Sequence, residues 1–184
     1  VPYLSQIAVR RIGGPRPWQL LEDLPFLDAT GPVPDRVFTT PAGYRTDFAT
    51  IPRLLTIFVP KLGPWDEPAA THDLGCDALR DQWAGERANR LRAERDQPLL
   101  EVRQPWLDSP GVDQLWRRAL RSVGVGPVLT LLLWVAVRWG ALASPWRRRG
   151  WWSWRETPLV LTVTAVVLTP LVLLLPLAVR GLLA

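Results

Sequence analysis

One cysteine, Cys76, and one histidine, His72, occur among 184 residues. A lone cysteine excludes an intrachain disulfide and suits a reducing compartment. A lone histidine excludes metal sites built on several imidazoles, so any bound ion would depend on carboxylates. Lysine is almost missing too: Arg outnumbers Lys 21 to 1, a bias that suggests a GC-rich genome rather than a chemical role. The first residues, VPYLSQIAVRR, contain no long apolar core of the kind a signal peptide carries. No GxGxxG, no GxxxxGK[ST] and no serine-nucleophile elbow is present. There are no internal repeats and no low-complexity tract.

Charge is unevenly spread. Residues 1–137 contain 16 Arg/Lys and 16 Asp/Glu, so the +5 net charge comes from five arginines against Glu156 over residues 138–157, and from Arg180. A nucleic-acid-binding domain needs a basic face on its globular part, and none is expected here. The arginines instead precede a long greasy stretch. Pro158–Val179 is 22 residues without a charge, and about 20 apolar residues span a bilayer core. Arg147, Arg148, Arg149 and Arg155 alternate with Trp146, Trp151, Trp152 and Trp154, a composition suited to a cytoplasmic-side interface. The expected organisation is a globular domain over residues 1–142, a basic and aromatic collar over 143–157, a transmembrane helix over 158–179 kinked at Pro170 and Pro176, and a tail over 180–184. The expected partner is the lipid bilayer, with the globular domain on its cytoplasmic face.

Within the domain, 5–12 reads as a short strand and 17–29 as one or two more. VFTT (Val37–Thr40) is β-branched and aromatic. Pro41-Ala42-Gly43 is turn chemistry, so Tyr44–Phe48 is expected to return as the second strand of a hairpin. Thr50 and Pro52 can open a helix reaching Phe58. A further helix starts at Pro68, carries His72, Cys76, Leu79 and Trp83, and is expected to break at Gly85. The charge-dense 86–104 reads as an exposed helix or an insertion, and Pro105–Pro110 as a loop. Gln114–Ser122 is helical, with Leu115, Trp116, Ala119 and Leu120 on one side. The apolar run over 128–137 is short for crossing a membrane and reads as a core helix, with a re-entrant or true transmembrane hairpin as the alternative. Trp116, Trp134 and Trp139 are expected in the core; Trp18, Trp65, Trp83 and Trp106 fit either core or a partner surface. The fold class is α+β: a small antiparallel hairpin-based sheet packed with about four helices, plus the membrane helix.

One constellation carries possible chemistry. PAGYRTDFATIPR (Pro41–Arg53) is followed by THDLGCDAL (Thr71–Leu79), an Asp113-led helix and AVRWG (Ala136–Gly140). This order resembles a phage and prophage family known as domain of unknown function 1353, over roughly residues 18–142. Two departures stand out: Leu74-Gly75-Cys76 where the family often has aromatics, and residues 80–108, which look like an insertion. The resemblance implies a phage or prophage origin and places 128–140 inside the domain. It implies no activity. From the residues themselves, Asp47, His72 and Asp73 are the candidate catalytic set, with His72 as base and an aspartate orienting it. Joined by Asp113, they would make an oxygen-rich set for Mg²⁺, Mn²⁺ or Zn²⁺. The His-Asp pair alone does not make the phosphohydrolase superfamily named for it, which needs more histidines. The competing reading is structural: Asp47 fixes the turn and His72 donates to Asp47, tying helix to hairpin. Cys76, on an apolar helix, is a poor nucleophile candidate. Two functions follow: a membrane-held accessory protein acting by binding, with a phage or host membrane protein as possible partner, or a membrane-anchored hydrolase. A holin-like pore would require two spans.

Overall fold

The structure, a computed structural model, describes residues 3–32, 35–48, 63–152, 156–167 and 169. Five short strands come first: β1 (Val9–Arg11), β2 (Trp18–Leu20), β3 (Leu24–Asp28), β4 (Arg36–Thr40) and β5 (Arg45–Thr46). Four helices follow: α1 (Asp66–Ala93), α2 (Ser109–Ser122), α3 (Pro127–Ala143) and α4 (Pro145–Arg148). Residues 157–167 form a fifth, α5. The α+β class stands, with two small antiparallel sheets rather than one.

The expected hairpin does not form. β4 pairs with β3, Phe38 facing Phe26, whereas β5 pairs with β2 in the order β1-β2-β5. The PAG turn therefore passes the chain from one sheet to the other. Tyr44 N–H donates to Pro41 O at 3.1 Å, while Gly43 N–H reaches Leu20 O at 2.8 Å with Gly43 at φ +82°. Asp23, between β2 and β3, accepts Ala42 N–H at 2.7 Å. A distant carboxylate thus fixes a turn that local sequence marks only as a turn.

The alternation in β3 and β4 turns Leu24, Phe26, Phe38 and Thr40 inward. Leu24, Phe26 and Phe38 meet Ala69 and Ala70 of α1 and Leu115 and Ala119 of α2 in one apolar cluster. Asp28 is buried at the end of β3 and receives a two-pronged bond from Arg118 of α2, at 2.8 and 2.6 Å. A second cluster joins Trp65, Trp116, Leu120 and Leu133, and a third joins Trp134, Val135 and Val160.

Several expectations change. β1 covers only Val9–Arg11 of the expected 5–12. α1 runs straight through Gly85 for 28 residues. There the glycine admits a neighbour: a Cβ at Gly85 would lie 2.8 Å from Val102 Cγ2. The chain after α1 runs back along it, with Asn89 bonding both the N–H and the C=O of Leu100 at 2.7 and 2.9 Å. α2 starts earlier than expected, at Ser109, because Asp108 caps it through Gly111 N–H at 2.8 Å. α3 continues past Val137 to Ala143 and buries Thr130, Leu133, Trp134, Arg138 and Ala141 on one face, which agrees with a core helix. Trp116 and Trp134 are buried as expected, but Trp139 is 38 % exposed. The expected helix at Thr50–Phe58 lies outside the described residues.

Two details of the collar and of the start of the expected span differ from expectation. Arg147 is buried rather than lipid-facing, and Trp146 packs on Trp83 of α1 with ring centroids 6.2 Å apart. The first turn of the expected span packs into the domain: Thr157 and Val160 are each 1 % exposed, Val160 against Trp134. Among the described residues no helix is long and apolar enough to cross a membrane. The rest of Pro158–Val179, beyond 167 and apart from 169, lies outside them.

Gly75 lies where α1 and α2 pack closely: an added Cβ would sit 2.9 Å from Val112 Cγ1. Gly75→Leu is expected to wedge the helices apart and cost about 2 kcal/mol in urea unfolding, within the usual range for overpacking. An unchanged midpoint would contradict this packing.

Candidate functional site

A buried charged cluster lies where four helices converge. Asp113 sits on the buried face of α2, beside Val112, Leu115 and Trp116, and has no exposed surface. Its Oδ1 pairs with His72 Nε2 of α1 at 2.9 Å and with Arg147 Nη2 of α4. Its Oδ2 accepts from Arg138 Nη1 of α3 at 3.2 Å. Arg138 also bonds Trp151 O, while Trp151 Nε1 donates to Arg138 O. On its far side Arg138 Nε faces Glu156 Oε2 across 3.7 Å, and Gln114 Nε2 donates to Glu156 Oε1 at 2.8 Å. A buried guanidinium is tolerated only with such partners.

The electrostatics follow. Burial alone would raise the Asp113 pKa, but the His72 hydrogen bond, then Arg147 and Arg138, hold it below its ordinary value. For His72, burial disfavours the imidazolium. Its electrostatic interaction with Cys76 and the bond to Asp113 outweigh that effect and raise its pKa. His72 is therefore a cation near neutrality, committed to Asp113. The expected donation to Asp47 is replaced by this pairing, because Asp113 lies on the helix packed against α1. The Cys76 sulfur lies 3.8 and 3.7 Å from the two ring nitrogens. That near-equidistance places it over the ring face instead of in line with an N–H.

A second polar group flanks the first. Thr46 Oγ1 accepts Phe48 N–H at 2.8 Å and donates to Asp73 Oδ2 at 2.6 Å. This bracket holds Phe48 in the left-handed region at φ +59°, an uncommon conformation for an aromatic residue. Burial, above all, pushes the Asp73 pKa up to about 7; Asp47 adds to the rise, while Thr46, His72 and Arg16 oppose it. Asp47 itself is half-buried nearby. Asp77, one turn beyond Asp73, pairs with Arg16, with Arg80 at 3.1 Å and with Tyr44 Oη at 2.8 Å.

Both groups border a cleft of about 440 Å³ between α1, α3 and α4. Asp73, His72 and Cys76 line it at one side; Leu133, Ala136 and Val137 face them from α3. The expected set is thus only partly gathered: Asp47 and Asp73 influence each other, while His72 is turned to Asp113. Among the described residues no three such side chains are placed to share a metal ion. At Asp113 the guanidiniums occupy the directions a cation would need.

Sequence reasoning missed the principal partners, Arg138 and Arg147. Two signals pointed to them. An arginine inside an apolar helix demands an anion, and an aspartate on the apolar side of α2 is an anion in need of cations.

Comparison with known proteins gives one match. The profile of a family described as "Protein of unknown function (DUF1353)" aligns with residues 18–137. No curated protein and no solved structure matches the chain.

Asp113→Asn is expected to strand two buried guanidiniums and to cost about 3 kcal/mol or more in chemical denaturation; a loss below 1 kcal/mol would remove Asp113 from its central role. Asp73 gives a pH signature. Its folded pKa, about 7, lies above the ordinary 3.8, so between those values the unfolded chain releases this proton first. Its contribution to stability therefore falls as pH rises through that window. Asp73→Asn, which lacks this proton, is expected to gain up to about 4 kcal/mol on the wild type between pH 4 and pH 8. Parallel urea midpoints across the window would contradict the assignment.

Proposed function

This chain belongs to the DUF1353 family, and we propose that it is a binding module held at a membrane by its C-terminal helical pair. The observation that carries the reading is the apolar surface left uncovered on α3 and α5. Val128, Leu132 and Trp139 of α3 are exposed, as are Leu161, Val166 and Val167 of α5. Six large apolar side chains exposed on two neighbouring helices favour an interaction surface. The sequence after Val167 stays without charge until Arg180. Lipid suits such a face: exposed Arg148 and Arg149 lie beside it in the chain, where anionic headgroups would meet them.

Binding is favoured over turnover because His72, the expected base, is already committed to Asp113. The hydrolase alternative keeps one support: the Asp73 proton, close to neutrality, sits at the cleft. A phage or prophage setting, with a phage or host membrane protein as partner, rests on the sequence resemblance.

The full chain is expected to remain in the membrane fraction after carbonate extraction. A double substitution, Val166→Arg with Val167→Arg, is expected to release most of it, since each arginine at bilayer depth costs about 3 kcal/mol. Recovery of the unaltered chain in the soluble fraction would overturn the reading.

A further inference from the structure

We propose that the cleft between α1, α3 and α4 binds a small amphipathic anion: a phosphate or carboxylate head carrying an aliphatic chain. The lining is mixed in that way. Arg16, Arg80 and Arg147 outnumber the carboxylates of Asp73 and Asp77, and His72 lines the cleft with them. Arg16 and Arg80 share Asp77, with Arg80 also 3.6 Å from Asp81, and Arg147 shares Asp113 with His72 and Arg138. Arg16 and Arg147 are therefore only partly compensated. Leu133, Ala136, Val137 and Trp146 supply the apolar part of the lining, with Arg147 Nη2 3.4 Å from Val137 O where the two parts meet.

A second observation bears on the sign of the ligand. Two lining residues keep a buried N–H without an acceptor: Nε of Arg147 and Nε1 of Trp116, residues 7 % and 5 % exposed. Both groups are donors on residues that line the cleft, which suits an acceptor there better than a further donor. About 440 Å³ lies within the range of about 300–1,000 Å³ typical of small-molecule sites. Ala136 and Gly140 also place the apolar wall on the side of α3 that carries the exposed Val128 and Leu132, four residues apart in sequence. An aliphatic chain can therefore continue from the cleft onto that face.

The proposal is separable from the membrane reading, because the ligand is water-soluble. Hexyl phosphate is titrated calorimetrically into the full chain, in phosphatidylcholine nanodiscs if the chain enters them and in buffer if it stays in solution, with the matching blank subtracted. Saturable one-to-one binding is expected, at least about tenfold tighter than inorganic phosphate and absent with 1-hexanol. Arg80→Glu, at a half-exposed position, is expected to weaken binding about tenfold. Ala136→Trp is expected to abolish it by filling the cleft, with thermal melts reporting that both variants fold. Phosphatidylglycerol in the nanodisc either competes with hexyl phosphate, which names a lipid headgroup as the source, or leaves it unaffected, which names a soluble phosphate. Non-saturable heats, or wild-type affinity in a folded Arg80→Glu or Ala136→Trp variant, would overturn the proposal.

Discussion

The arrangement of the helices depends on the single carboxylate of Asp113. It has no contact with solvent, yet it meets an imidazolium from α1 and guanidiniums from α3 and α4. Removing an ion from water costs several kcal/mol, and only partners placed in the same dry volume offset it. Each of the four groups is therefore tolerable only while the others are present. Such mutual dependence selects one arrangement of the helices more than it adds stability, since an apolar core of the same volume would pack as well. The pairs Arg138–Glu156 and Gln114–Glu156 extend the same logic to the start of α5.

Helix α1 links this cluster to the rest of the fold. Thr71 faces the sheets and bonds Tyr3 Oη at 3.1 Å, and His72 faces Asp113. Asp73 faces Thr46 at the end of β5, and Asp77 gathers Arg16 and Tyr44. Successive residues on one helix thus bond in different directions, so the sheets and the helices share one register. The left-handed Phe48 follows from this: Thr46 is held between Asp73 and the Phe48 amide, and the backbone adapts to it.

Local patterns in the sequence were legible. Val37–Thr40 is a strand, Pro41–Gly43 a turn and 114–122 an amphipathic helix, because each depends on neighbours a few residues away. Pairings across distance were not. Whether β4 turns back to Tyr44 or pairs with β3 is decided by Asp23, some 19 positions from the amide it captures. Gly85 carries the usual mark of a helix end, but Val102 needs the space beside it. His72 and Asp113 were both singled out as polar candidates, yet the 41 positions between them gave no sign that they pair. Arg147 was hidden in plain composition: within Arg147-Arg148-Arg149 nothing distinguishes the buried member from its exposed neighbours, since helix phase alone separates them.

The start of α5 is packed into the domain. Thr157 and Val160 are buried, and Glu156 just before them accepts from Gln114 and faces the Arg138 guanidinium across 3.7 Å. Whatever surface receives α5 consequently sets the tilt and height of the whole body, and the mouth of the cleft is presented at a fixed bearing.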